Sequence, residues 1–252
     1  MMPGFALRQR KIPGMMTCFP LFNLVAADER FWVIDKHPGV SFHHQGEETG
    51  LIEAVREQLG PVWPIHRLDR MTSGLLLLAR SPEVARQLSA LLSERRMDKL
   101  YLALSDQRPA KKQGLIIGDM QKGRGGDWRL CQRRENPAVT QFFSTSLAPG
   151  VRAFFLKPLT GRTHQLRVAL KSLGAPIIGD ARYHGASETP ADRGYLHAWS
   201  LRFELDGESF AFMTSPQQGA LFLREDFQQL IRLPQWQPDA IAWPAVSIQQ
   251  KK

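Results

Sequence analysis

Four consecutive leucines, Leu75 to Leu78, follow the run Ile65-His66-Arg67-Leu68-Asp69-Arg70-Met71-Thr72-Ser73-Gly74. A stretch that is apolar at every position suits a strand covered on both faces, so the polar cluster ahead of it forms the loop that feeds the strand. A carboxylate flanked by Arg67 and Arg70 at the mouth of a core strand suits chemistry on an anionic substrate. It suits equally a capped turn with a structural Asp–Arg pair, and spacing alone does not separate the two.

A second cluster, Gly161-Arg162-Thr163-His164-Gln165-Leu166-Arg167, opens a segment with apolar Leu166, Ala169, Leu170 and Leu173 and then Gly174. The spacing is helical and the glycine is of the C-cap type. Arg162 to Arg167 are therefore expected near a helix N-terminus, where free backbone N–H groups favour an anion. Two sites rich in Arg and His, about a hundred residues apart, suggest one cleft for a nucleic acid.

These residues carry a resemblance. His66 to Ala79, His-Arg-Leu-Asp-x-x-Thr-Ser-Gly-Leu-Leu-Leu-Leu-Ala, resembles the signature of the RluA family of pseudouridine synthases. Lys99 to Leu104 resembles that family's Lys-x-Tyr-x-Ala motif, and Gly161 to Val168 its Gly-Arg-Thr-His-Gln-Leu-Arg motif. Pro176 to Tyr183 resembles Pro-Ile-x-Gly-Asp-x-x-Tyr, and Leu196-His197-Ala198 follows in the right order. The match runs from about Leu24 to about Phe227. Two departures stand out: His37 intervenes in what is commonly Lys-Pro-x-Gly, and Ala169 stands where many relatives have His. The first puts the turn geometry in doubt; the second weakens any role for position 169.

Composition permits this reading without assigning it. The formal charge is +9, and Arg outnumbers Lys by more than two to one. Guanidinium groups fork onto phosphate and stack on bases, and excess positive charge speeds encounter with polyanions. Cys18 and Cys131 form no Cys-x-x-Cys pair, which points to a reduced compartment without structural zinc. His43 and His44, as neighbours on an extended chain, point to opposite faces and make a poor metal pair. Metalloprotease, serine-esterase and P-loop motifs are absent from the sequence. The stretch Ile12 to Ala27 is rather apolar, but Pro13, Pro20 and Asn23 interrupt it, so a loose tail or a start at Met15 or Met16 is the simpler reading than a secretory signal. No run reaches transmembrane length, and a cytoplasmic location is expected.

Along the chain, Phe31 to Asp35 reads as a strand before a turn at Lys36 to Gly39, and Leu51 to Leu59 as a helix. Ser81-Pro82-Glu83 reads as N-cap, first-turn proline and first-turn acid of a helix carrying Val84, Leu88, Leu91 and Leu92. Lys99 to Leu104 and Val151 to Lys157 are further strands. Leu201 to Leu205, Asp206-Gly207 and Glu208 to Met213 form a hairpin. Gly114 to Arg134 is Gly-rich and basic, either a flexible RNA-gripping loop or a solvated insertion between strands. The expected organisation is a loosely ordered tail over 1–23, one catalytic domain over 24–234, and a second loose tail over 235–252. The class is α+β with a mainly antiparallel sheet. The resemblance implies a mixed sheet split by a central RNA-binding cleft with flanking helices. It also implies that the catalytic domain grips RNA unaided, since little sequence precedes Leu24.

The resemblance further implies the chemistry. Uracil is detached from ribose, turned, and rejoined through carbon, with no cofactor and no metal. Asp69 would be the ionised carboxylate, acting as nucleophile toward the sugar or taking the ribose proton that lets a glycal form. Arg167 would fork onto it and keep it charged. Tyr101 would stack on the base, which tolerates the base turning over, and Leu196 would form an apolar wall. Arg67 would enter the space left by the flipped uridine. His66, Arg162 and His164 are expected among the substrate-binding residues, the last two meeting phosphate near the helix N-terminus. The partner would be RNA, ribosomal before transfer RNA, read by a protein expected to be a monomer. Two other classes compete: a non-catalytic RNA-binding or RNA-chaperone protein, and a phosphodiesterase using His66 or His164 as acid and base.

Overall fold

Strand β4, Ser73–Ala79, is buried at all seven positions, as a strand covered on both faces must be. The computed structural model describes residues 18–44, 46, 48–185 and 190–245; the expectations for 1–17, 186–189 and 246–252 lie outside them. The chain divides into two compact units, Met1–Lys99 with Leu196–Gln218, and Leu100–Tyr195 with Gly219–Lys252.

In the first unit, β1 (Phe22–Ala27) and β2 (Phe31–Lys36) pair antiparallel, and β2 pairs antiparallel with β4. The short β3 (Trp63–Pro64) bonds to one end of β4 at Leu78 and Ala79. At the other end, β10 (Leu196–Leu205) pairs with β4 in parallel, His197 against Ser73 and Ala198 against Gly74. Gly74 has φ +110°, and a Cβ built there would lie 2.3 Å from the Ala198 carbonyl oxygen. The glycine that closes the polar motif is thus what lets two strands meet beside it.

Helix α1 (Leu51–Leu59) buries Leu51, Ile52 and Val55, as its spacing predicts. Helix α2 (Pro82–Ser93) begins as expected: the Ser81 hydroxyl accepts the Val84 N–H at 3.2 Å and Pro82 occupies the first turn. Its Leu88 and Leu91 pack with Phe31, Val33, Leu75, Leu77 and Phe203 into one core. Leu76 and Leu78, on the opposite face of the pleat, are fully buried too. Strand β11 (Glu208–Met213) returns along β10 through Asp206 and Gly207, both at positive φ, the turn geometry an Asp-Gly hairpin requires.

In the second unit the order is β5 (Met97–Ser105, which enters it at Leu100), β9 (Val151–Pro158), β8 (Ala138–Ala148), β6 (Gln113–Lys122) and β7 (Trp128–Cys131). Every one of these pairings is antiparallel. Helix α3 (Gln165–Ser172) packs on β7, β8 and β9, and α4 (Glu225–Leu230) closes the set. The mainly antiparallel α+β class expected from the strand-rich pattern is what the chain adopts.

Three expectations need correction. Much of Gly114 to Arg134 is strand, because Leu115, Ile116 and Ile117 pair with Gln141, Thr140 and Val139 of β8 and the chain turns back as β7. Residues 235–245 are packed rather than loose: Trp236 stacks on Phe155 with ring centroids 4.5 Å apart, and the Gln141 amide donates to the Pro244 carbonyl at 2.6 Å. At the other end, Phe22 is already buried inside β1, so the ordered chain begins before Leu24.

Candidate active site

The loop from Ile65 to Thr72 carries Asp69, and its backbone is held from several sides. Thr72 N–H donates to the Asp69 carbonyl at 3.0 Å, a tight turn around the carboxylate. The next carbonyl, Arg70 O, accepts the Gly39 N–H at 2.8 Å and the Lys36 ammonium at 3.2 Å. Lys36 Nζ also donates to the His37 and Val40 carbonyls at 2.8 and 3.0 Å, and the residue is wholly buried. A charged donor buried in this way needs such a set of acceptors, and it ties the turn after β2 to the Asp69 loop. Arg70 completes the tie, its Nε donating to the Gly39 carbonyl at 2.9 Å and its guanidinium meeting exposed Glu48. The turn therefore forms despite His37, with Gly39 at φ +80°.

Leu68 and Thr72 are buried on either side of a half-exposed Asp69, and Arg67 is exposed. His66 Nε2 accepts the Leu77 N–H of β4 at 3.2 Å. Burial, with a smaller push from the Lys99 ammonium, lowers the His66 pKa to about 3. Its ring is therefore a neutral acceptor tied to the strand. Burial also lowers Lys99, to about 8.

Beneath the loop lies a buried polar relay. Ser73 Oγ is 2.8 Å from His197 Nδ1, and His197 Nε2 is 2.8 Å from the Thr214 carbonyl, an oxygen that can only accept. Nε2 thus carries a proton that it donates to the carbonyl, and Nδ1 shares a hydrogen bond with the Ser73 hydroxyl. Thr214 Oγ1 in turn donates to Asp35 at 3.1 Å. The serine of the motif is engaged in holding β4 against β10, at whose head Leu196 is buried.

In the second unit, Tyr101 stands on β5 opposite Leu156 of β9 and is 8% exposed. Helix α3 starts at Gln165, three residues later than Arg162, with His164 at its N-cap in the left-handed region, φ 57° and ψ 19°. Gln165 organises this corner. Its side-chain oxygen accepts the Thr160 hydroxyl and the Arg162 N–H, and its amide donates to Val139 O and Thr140 Oγ1. The Gln165 N–H is spent on the Arg162 carbonyl, so this helix start is a tightly bonded turn. Arg162 is exposed and reaches the Asn136 side chain.

Arg167 is buried and forks onto Asp180, Nε to Oδ2 at 2.7 Å and Nη2 to Oδ1 at 2.8 Å. Asp180 also accepts the Arg182 and Tyr183 N–H groups. The guanidinium lies 5.0 Å from the Tyr183 ring centre, and His164 Nδ1 is 2.8 Å from the Tyr183 hydroxyl. The structure thus gathers His66, Arg67 and Asp69 on one loop of the first unit, and His164 and Arg167 around Tyr183 in the second. Sequence reasoning assigned no role to Lys36, Asp180, Tyr183 or the Ser73–His197 pair. Asp180 and Tyr183 were visible as members of a motif, and Lys36 as a lone cation ending an apolar strand. Among the described residues no group of three or more His, Cys, Asp or Glu is placed to hold a metal ion, and no helix is long and apolar enough to cross a membrane.

The RNA pseudouridylate synthase family model matches residues 30–172. A Haemophilus influenzae protein named as an uncharacterized RNA pseudouridine synthase is 51% identical, over 79% of this chain and 90% of its own length. A Vibrio parahaemolyticus protein named tRNA pseudouridine synthase C is 33% identical over 72% of this chain and 84% of its own. Among solved structures, human RNA pseudouridylate synthase domain containing 1 is similar with a TM-score of 0.66 and 29% identity, covering 81% of this chain and 86% of that one.

Proposed function

The chain belongs to the RNA pseudouridylate synthase family, in its RluA group, and from that membership we propose that it isomerises particular uridines of structured ribosomal or transfer RNA with Asp69 as the catalytic carboxylate. The observation that carries the proposal is the anchoring of the Asp69 loop. A half-exposed carboxylate is held on a backbone pinned by the Lys36 ammonium, the Gly39 N–H and the Thr72 turn. A catalytic group must be fixed before the substrate arrives, and this backbone meets that need.

In the proposed reaction the N1–C1′ bond of a flipped uridine breaks, the base turns, a C5–C1′ bond forms, C5 gives up its hydrogen to water as a proton, and N1 takes up a proton in its place. Asp69 acts on the ribose, either as nucleophile at C1′ or as base toward the 2′ hydrogen. Arg167 is the guanidinium that the family pattern sets against that carboxylate, and its fork on Asp180 fixes its orientation. Tyr101 supplies the stacking face and Leu196 the apolar wall. Exposed Arg67 fills the stack left open by the uridine, since flipping costs a few kcal/mol that an inserted side chain offsets. Arg162 and His164 meet the RNA backbone.

The phosphodiesterase reading loses its first candidate acid and base, because the His66 Nε2 lone pair is taken by the Leu77 N–H and burial, lowering its pKa to about 3, disfavours the protonated ring. The test uses unmodified ribosomal and transfer RNA transcripts, carbodiimide mapping of pseudouridine, and a denaturing gel. New pseudouridine at discrete positions with intact strands is the expected result. Cleaved strands, or bound RNA without pseudouridine, would replace the synthase reading with a nuclease or a binding protein.

A further inference from the structure

Between Asp180 and Tyr183 the chain holds two parts of the second unit at once. On one side it holds α3: Asp180 receives the Arg167 guanidinium, and the Tyr183 ring lies under that guanidinium. On the other side it holds the β6–β7 hairpin. Arg182 Nη1 donates to the Gly125 carbonyl at 2.9 Å and to Asp127 Oδ1 at 2.7 Å. The Tyr183 hydroxyl accepts the Trp128 N–H at 3.0 Å, at the first residue of β7.

We propose that Tyr183, with Arg182, is a positioning residue that makes the placement of Arg167 depend on the β6–β7 hairpin. The inference rests on the synthase reading above and adds to it a link between RNA docking and the arginine. The hairpin is suited to the docking half, since Lys122, Arg129, Arg133 and Arg134 are exposed on and just beyond it. The arginine half follows from burial. Tyr183 is 3% exposed, so its ring cannot shift without moving the groups packed on it.

The hydroxyl is the joint. Burial raises the Tyr183 pKa and keeps it a phenol. The Trp128 N–H donates to its oxygen, and His164 Nδ1 shares the same hydroxyl at 2.8 Å. His164 caps α3 in a left-handed conformation, and the Tyr183 hydroxyl is one of the groups on its ring. A pull on Trp128 therefore reaches His164 through the Tyr183 hydroxyl and Arg167 through the Tyr183 ring.

The test compares wild type, Tyr183→Phe, Arg182→Ala, Arg182→Lys and Asp69→Ala by single-turnover tritium release from saturating 5-tritiated RNA, by RNA Kd, and by thermal unfolding. Loss of one buried hydrogen bond gives about a tenfold lower rate. That drop is expected for Tyr183→Phe and a smaller one for Arg182→Ala, whose bonds to Gly125 and Asp127 are exposed, while Kd changes by less than about threefold in both and Arg182→Lys recovers most of the Arg182→Ala loss. A further protein carrying both Tyr183→Phe and Arg182→Ala should be no slower than the slower single variant, since both cut the same link. Rates of folded protein equal to wild type in Tyr183→Phe and Arg182→Ala would overturn the inference, as would full additivity. Release by Asp69→Ala at the wild-type rate would instead overturn the assignment of the carboxylate, which separates the two failures.

Discussion

The guanidinium of Arg167 meets the carboxylate of Asp180 in a two-pronged contact of 2.7 and 2.8 Å, with the carboxylate side chain fully buried and the guanidinium nearly so. Arg167 is thus fixed by its own unit. Removing one member of a buried pair strands the other, so Asp180→Asn should lower unfolding free energy by about 3–5 kcal/mol. Chemical denaturation checks this, and a loss within error of zero would show that the pair is not what holds α3.

A second expectation concerns Lys36. Lys36→Met keeps the aliphatic volume and removes the donor shared by the His37, Val40 and Arg70 carbonyls. Buried hydrogen bonds to a charged group are each worth about 1.5–3 kcal/mol, so the variant should be less stable by at least about 2 kcal/mol. Hydrogen exchange should show faster opening at Thr72, whose N–H closes the Asp69 turn. Unchanged exchange there would detach Lys36 from the loop.

His66 sets a pH dependence. Its pKa in the fold, about 3, lies below its ordinary value of 6.5, so the unfolded chain takes up the proton first. The stability it contributes is complete above pH 6.5 and is lost as pH falls from 6.5 toward 3. Between pH 7.5 and 5.5 the loss should be on the order of 1 kcal/mol. His66→Gln, which has no proton to gain, should flatten that slope in denaturation curves taken at the two pH values; an equal slope in both proteins would contradict the assignment.

The basic hairpin predicts a salt effect. Arg133 and Arg134 are exposed beyond β7, and replacing both by Ala should weaken RNA binding while lowering the slope of log K against log salt by about 0.7 per lost phosphate contact on single strands. Filter binding over a salt series measures it. A slope equal to wild type would place the RNA elsewhere.

Local chemistry explains which parts of this fold could be read in advance. Helix α1, the Ser81 cap and the Asp206-Gly207 turn each depend on a few adjacent residues, and the fold keeps all three. The β6–β7 hairpin could not be read the same way, because Leu115 to Ile117 become strand only by pairing with β8, more than twenty residues on. The tail was misread for a related reason: Trp236 gains its order from Phe155 across the sheet surface. Asp69 and Arg167 were assigned their roles through the resemblance alone, from the motifs that carry them. Lys36 and Tyr183 were visible in the sequence without a role, since what they do is defined by carbonyls and amides from distant segments.

The most direct test of the account is tritium release from RNA tritiated at uracil C5, run in EDTA with wild type and Asp69→Asn. The account predicts release by wild type and none by the variant, with equal RNA binding by both. Release by Asp69→Asn at the wild-type rate would contradict it, and so would no release by either protein from ribosomal and transfer RNA that both bind.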